Sequence, residues 1–139
     1  MGTTGINPTV KLAWYLAKKR SAKFEWGRND CNTFIVEMHD TLYNTNFLPR
    51  LWEKYDSLLS AVRFSKRNIQ APNWLTEAGY RPTLSPVRQD GEVLLEQRGS
   101  CWHAWVVLQG YAYSITPDLG ITKAPVEAVD NVHVWRHHA

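Results

Sequence analysis

The chain has 139 residues, a formal net charge of +3 and 44% hydrophobic residues, so one compact core is expected over 1–139 and a second self-standing domain is excluded on size. No apolar run nears the roughly 18 to 20 residues that cross a bilayer, and the opening MGTTGINPTVKLAW lacks the basic-then-apolar order of an export signal, which predicts a soluble protein without a membrane partner. Lysine and arginine are interleaved with acids rather than gathered in a stripe, which argues against a nucleic-acid partner.

The first predicted element is a helix over 8–20. Asn7 followed by Pro8 is a helix-start signal, Leu12, Ala13, Leu16 and Ala17 form an apolar stripe, and Lys18, Lys19 and Arg20 suit its end. After a polar and aromatic connector, Phe34, Ile35, Met38 and Leu42 recur at helical spacing, with Asn29 or Asp30 available as the cap. Cys31 falls in the first turn of that helix. The spacing of Leu51, Trp52, Tyr55, Leu58, Leu59 and Val62 predicts helix across 46–67, and Ala71-Pro72-Asn73 opens one more short helix that ends near Gly79.

Beyond Pro82 and Pro86 the pattern changes. Short segments rich in Val, Leu, Trp and Tyr at 92–97, 103–109, 111–116 and 132–136, punctuated by Gly and Pro, predict strands. The fold class is therefore α+β, with N-terminal helices packed on a small C-terminal antiparallel sheet.

A thiol is nucleophilic as thiolate, and a helix N-terminus favours that charge, so Cys31 is the candidate nucleophile. Free backbone N–H groups there are candidates for binding an oxyanion. The candidate base is His103, at the start of the apolar segment HAWVVLQ. A tight turn at Gln109-Gly110 would pair Leu108 with Tyr111 and bring His103 opposite Thr116, with Ser114 and Thr116 on its face. Asp118 is the first choice to orient the imidazole, and Thr116 the alternative if the chain turns away after Pro117.

The bland readings are specific too. A cysteine on an apolar helix face is commonly core, and Cys101 reads as a packed thiol. Zinc held by Cys31, Cys101, His103 and His133 is disfavoured, because the chain lacks the close ligand pairs of structural zinc sites. His137 and His138 read as terminal and solvated. Asp30 is by default a cap.

The segment FEWGRNDCNTFIVE resembles the surroundings of the nucleophile in NlpC-type papain-like cysteine peptidases, where an aromatic-Gly element precedes an Asp-Cys pair that opens a helix. Here these are Trp26-Gly27 and Asp30-Cys31. The segments QDGEVLL, WHAWVVLQGYAYSITPDLGI and VWRH are similar to that family's strand, His-bearing hairpin and closing strand. Gly91-Glu92 stands where Gly-Asp is usual, and Arg28 and Asn32 replace a common Gly and Ser. The similarity is greatest to short phage proteins found with tail genes, and His103-Ala104-Trp105 with Asp118 also resembles transglutaminase-like domains.

The resemblance implies a papain-like fold and a hydrolase that needs no metal or organic cofactor, with Cys31 and His103 catalytic; no motif of the family identifies the third polar residue, for which Asp118 remains the first choice. Trp26, Trp102 and Trp105, close in sequence to Cys31 and His103, are candidates to line a substrate groove or to fill the core, and Asp30 and Thr116 are counted with the groove as candidate substrate contacts. It further implies a peptidoglycan peptide as substrate and virion or tail proteins as partners, for a chain made in the bacterial host cytoplasm and carried with the virion. A structural virion component with an inert Cys31 is the reading from another class.

Overall fold

The computed structural model describes residues 7–68, 70–99 and 101–138; the first six residues of MGTTGINPTVKLAW, the stretch read for an export signal, lie outside them. Four α-helices come first among the described residues: α1 (Pro8–Lys19), α2 (Cys31–Tyr43), α3 (Leu58–Arg67) and α4 (Ala71–Glu77). Six strands follow: β1 (Tyr80–Pro82), β2 (Val93–Arg98), β3 (Cys101–Leu108), β4 (Tyr111–Thr116), β5 (Gly120–Pro125) and β6 (Val132–His137). They form one antiparallel sheet in the order β1-β6-β2-β3-β4-β5.

Both longer helices begin as their sequences dictate. The Asn7 side chain accepts from Val10 N–H ahead of Pro8 in α1. In α2 the Asp30 carboxylate accepts from the Asn32 and Thr33 N–H groups, and Thr33 Oγ1 accepts from Asp30 N–H, a reciprocal capping box.

The sheet separates two apolar layers. Val93, Leu95, Ala104, Val106, Leu108 and Ile115 point toward the helices and join Leu12, Leu16, Phe34, Ile35, Met38 and Leu42 in the main core. Leu94, Trp105, Val107 and Ala112 point the other way, where Val126, Val129, Val132 and Val134 pack against them. Side chains alternate along β3, so neighbouring residues there serve opposite layers.

The structure corrects the stretch read as helical over 46–67. Only a short 3-10 turn at Leu48–Arg50 and α3 are helical there. Leu51 and Tyr55 are buried by the loop between them, at 6% and 8% exposure, rather than by a helix face. Two strands escaped the sequence reading: β1 is three residues long, and β5 alternates too weakly, with no fully buried residue, to signal a strand. His137, expected in solvent, is half-buried and stacks on Tyr43 with ring centroids 3.9 Å apart.

Candidate functional site

The site forms where β3 and β4 part. β3 pairs with β2 from Cys101 to Val106, and β4 pairs with β5 along its whole length, yet β3 and β4 pair with each other only at Val106↔Tyr113, Val107↔Ala112 and Leu108↔Tyr111. The expected Leu108–Tyr111 register is present, but residues 101–105 and 114–116 are left without cross-strand partners in one another.

Two side chains take up the backbone groups this opening frees. Ser114 Oγ donates to Ala104 O at 2.6 Å. The Cys31 thiol donates to Trp102 O at 3.9 Å. The carbonyls of alternate strand residues point to the same neighbour. The sulfur therefore sits on the β4 side of β3, in the opening, with its helix packed on the core face of the sheet.

His103 is 8% exposed, and its ring meets Trp105 edge-on at 5.2 Å, on the layer away from the helices. Its Nε2 lies 3.1 Å from Ser114 Oγ. A serine hydroxyl has one proton, and here Ala104 O receives it, so Nε2 carries the hydrogen and donates to Oγ. The Nδ1 lone pair is thereby left as the basic site. No hydrogen bond joins the sulfur and the imidazole; Cys31 is held at the carbonyl of Trp102, next to His103, while the imidazole faces the second layer.

Charge states follow from these surroundings. Burial, then the Asp30 carboxylate, push the Cys31 thiol up to about 12, against the pull of the Ala104 N–H and Arg98. The expected lowering by the helix N-terminus is outweighed. Burial, then Arg98, bring His103 down to about 4, with Glu96 opposing. Both shifts oppose transfer of a proton from that thiol to that imidazole, so this arrangement holds both groups neutral.

The other expected site residues are placed as follows. Asp118 lies exposed in the turn between β4 and β5 and makes no hydrogen bond to His103. Pro117 redirects the chain, and Ser114 takes the orienting position; its shared face with His103 was the available signal. Thr116 bonds the Thr122 hydroxyl at 3.1 Å instead. Trp105, 7% exposed with Nε1 donating to Glu96 at 3.3 Å, is core rather than groove wall.

Asp30 is 1% exposed, and besides capping α2 it accepts from Gly27 N–H at 2.8 Å. Trp26 is half-buried, packs edge-on against Phe24 at 4.8 Å, and lines a cleft of about 360 Å³ with Glu25, Arg28, Glu53 and Tyr55. Tyr55, which sequence reasoning assigned only to a helix stripe, is buried with its carbonyl against Gly27, and burial followed by the Asp30 carboxylate pushes its phenol up. Among the described residues, no group of three or more His, Cys, Asp or Glu is placed to hold a metal ion, and no helix is long and apolar enough to cross a membrane.

Residues 8–137 match the family described as Domain of unknown function (DUF6950), and the chain belongs to that family. No curated protein matches it significantly.

Proposed function

We propose that this DUF6950 member is a papain-like cysteine hydrolase of the NlpC type, which cleaves a peptide amide bond in bacterial peptidoglycan as part of a phage tail or virion. The observation that carries the chemistry is the anchored imidazole: Ser114 takes the Nε2 hydrogen and leaves Nδ1 as the base, on a strand whose backbone touches the sulfur of Cys31. The substrate and the virion setting rest on the resemblance of FEWGRNDCNTFIVE and HAWVVLQGYAYSI to that family.

In this reading Cys31 Sγ attacks the amide carbon, its proton passes to His103 Nδ1 and then to the leaving amine, and water hydrolyses the thioester. The Asn32 and Thr33 N–H groups are taken up by the Asp30 carboxylate, so the Cys31 N–H is the group at the start of α2 that stabilises the oxyanion. The imidazole must first turn from the second layer into the β3–β4 opening. The act of turning also removes it from the burial that holds it at about 4.

One observation favours a second reading, an inert structural component of a virion or tail: the sulfur is bonded to backbone and pushed up to about 12. Digestion of purified peptidoglycan by wild type, Cys31→Ser and His103→Ala, with fragments compared by mass spectrometry, separates the two. Release of peptide fragments by wild type alone supports the hydrolase. Identical, empty digests from all three proteins move the assignment to the structural role.

A further inference from the structure

We propose that α1 is an interfacial helix whose outer face docks on a bilayer surface rich in anionic phospholipid, with Trp14 entering the headgroup boundary and Lys18, Arg20 and Lys23 meeting the lipid charge.

Charge is interleaved along most of the chain, but not here. Residues 7–23 hold five of the 16 lysines and arginines and none of the 13 acids, so the rest of the chain carries a net −2. Two of the five are occupied: Lys19 pairs with Glu37 at 2.9 Å, and Lys11 reaches Leu42 O at 3.5 Å. Lys18, Arg20 and Lys23 are exposed, and among the described residues no acid pairs with them.

The helix has two apolar faces. Leu12, Tyr15 and Leu16 are buried against the fold. Val10, Ala13, Trp14 and Ala17 are exposed, Trp14 at 60% and Val10 at 38%. At about 100° per residue these four share an arc of about 100°, with Lys18 on one flank and Arg20 on the other. Ala13 and Ala17, read with Leu12 and Leu16 as one stripe, thus belong to the outer face.

Apolar surface continues past the end of the helix. A Cβ at Gly120 would stand 3.0 Å from Ala22 O, so the turn between β4 and β5 abuts this end and brings Leu119, 74% exposed, beside it. Asp118 of the same turn is exposed too, one acid against three unpaired cations.

The form of the patch selects the occupant. A stripe of one tryptophan, one valine and two alanines offers far less than the roughly 800 Å² that each side of a stable protein pair buries. A lipid surface makes no such demand. It takes a tryptophan at headgroup level and a narrow apolar stripe, and each cation near an anionic leaflet adds attraction. Such contact requires neither a spanning helix nor an export signal.

Co-sedimentation of the full chain with vesicles tests the docking. Vesicles of phosphatidylcholine alone are compared with vesicles of phosphatidylcholine and phosphatidylglycerol, at low and high salt. Binding to the anionic vesicles is expected to be at least about tenfold tighter and to weaken with salt. Trp14→Ser, and Lys18→Glu combined with Arg20→Glu, should each weaken it at least about tenfold. Lys66→Glu combined with Arg67→Glu changes net charge equally on exposed residues of α3 and should bind as the parent does. Failure to bind the anionic vesicles overturns the proposal and leaves this face to an acidic protein. Equal loss in the α1 and α3 pairs, or binding that ignores lipid charge, also overturns it. Should the α1 variants unfold by circular dichroism, hydrogen exchange of the parent decides: added protection of 8–20 on anionic vesicles supports docking, and no change overturns it.

Discussion

Ser114 Oγ accepts from His103 Nε2 at 3.1 Å while giving its own proton to Ala104 O at 2.6 Å, so one hydroxyl sets an imidazole tautomer and closes a strand edge together. Replacing it by alanine strands a buried N–H and a carbonyl. Ser114→Ala is expected to cost about 1–3 kcal/mol, read as a lower urea midpoint at unchanged m-value. If the hydrolase reading holds, peptide release also drops by about 10²-fold or more. Full stability and full activity would show that the hydroxyl orients nothing.

Two buried histidines set an acid limit. His39 is 1% exposed, shares a 2.9 Å hydrogen bond with Tyr80, and is ringed by Tyr43, Trp74 and His137. Burial first and His137 second bring it down to about 4, with Asp40 opposing, and His103 is also brought to about 4. Both folded values lie below the roughly 6.5 of an unfolded histidine, so the unfolded chain binds protons first. Stability is complete above about pH 6.5 and falls as pH drops toward 4, by up to roughly 1.4 kcal/mol per unit for each histidine. Urea unfolding near neutral pH and at about pH 5 measures the slope, and His39→Gln should flatten part of it. A slope indifferent to His39 would mean that its ring is solvated.

Gly27 permits close approach and a positive φ at once. Gly27→Ala forces the backbone of Tyr55 away and strains φ, with an expected loss of at least about 2 kcal/mol. Thermal unfolding checks this. A melting temperature within a degree or so of wild type would show that the loop yields freely.

Glu92, 1% exposed, accepts from Arg136 Nε at 2.7 Å and from Gln89 N–H at 2.9 Å, and lies 3.5 Å from Arg88. Glu92→Ala leaves two guanidinium groups without their carboxylate, and a loss of about 3 kcal/mol is expected. Glu92→Gln retains the hydrogen-bonding shape and should lose less. Chemical denaturation of the two variants side by side separates charge from shape, and equal losses would contradict the ion-pair account.

What was legible in the amino acids is what local rules govern. The Asp30 cap, the α2 stripe and the Leu108–Tyr111 turn depend on residues within a few positions of each other, and they stand as read. The course of residues 51–57 depends on Gly27, far away in the chain, so an apparent helical spacing misled. Asp118 had the right parity, but the chain turns at Pro117, and the backbone groups freed where β3 and β4 part are taken up by the sulfur of Cys31 and the hydroxyl of Ser114, which no periodicity reveals. The upward push on the Cys31 thiol comes from burial, a property of the assembled fold rather than of helix position.

The place of β6 in the sheet carries a cost for biogenesis. This late strand inserts between β1 and β2, so until residues 132–137 leave the ribosome β1 has no partner and one edge of β2 stays open. Such distant pairing slows folding, and the unpaired edge is a template for stray strands in the meantime. The nascent chain is thus expected to wait, its sheet unfinished, until β6 is made.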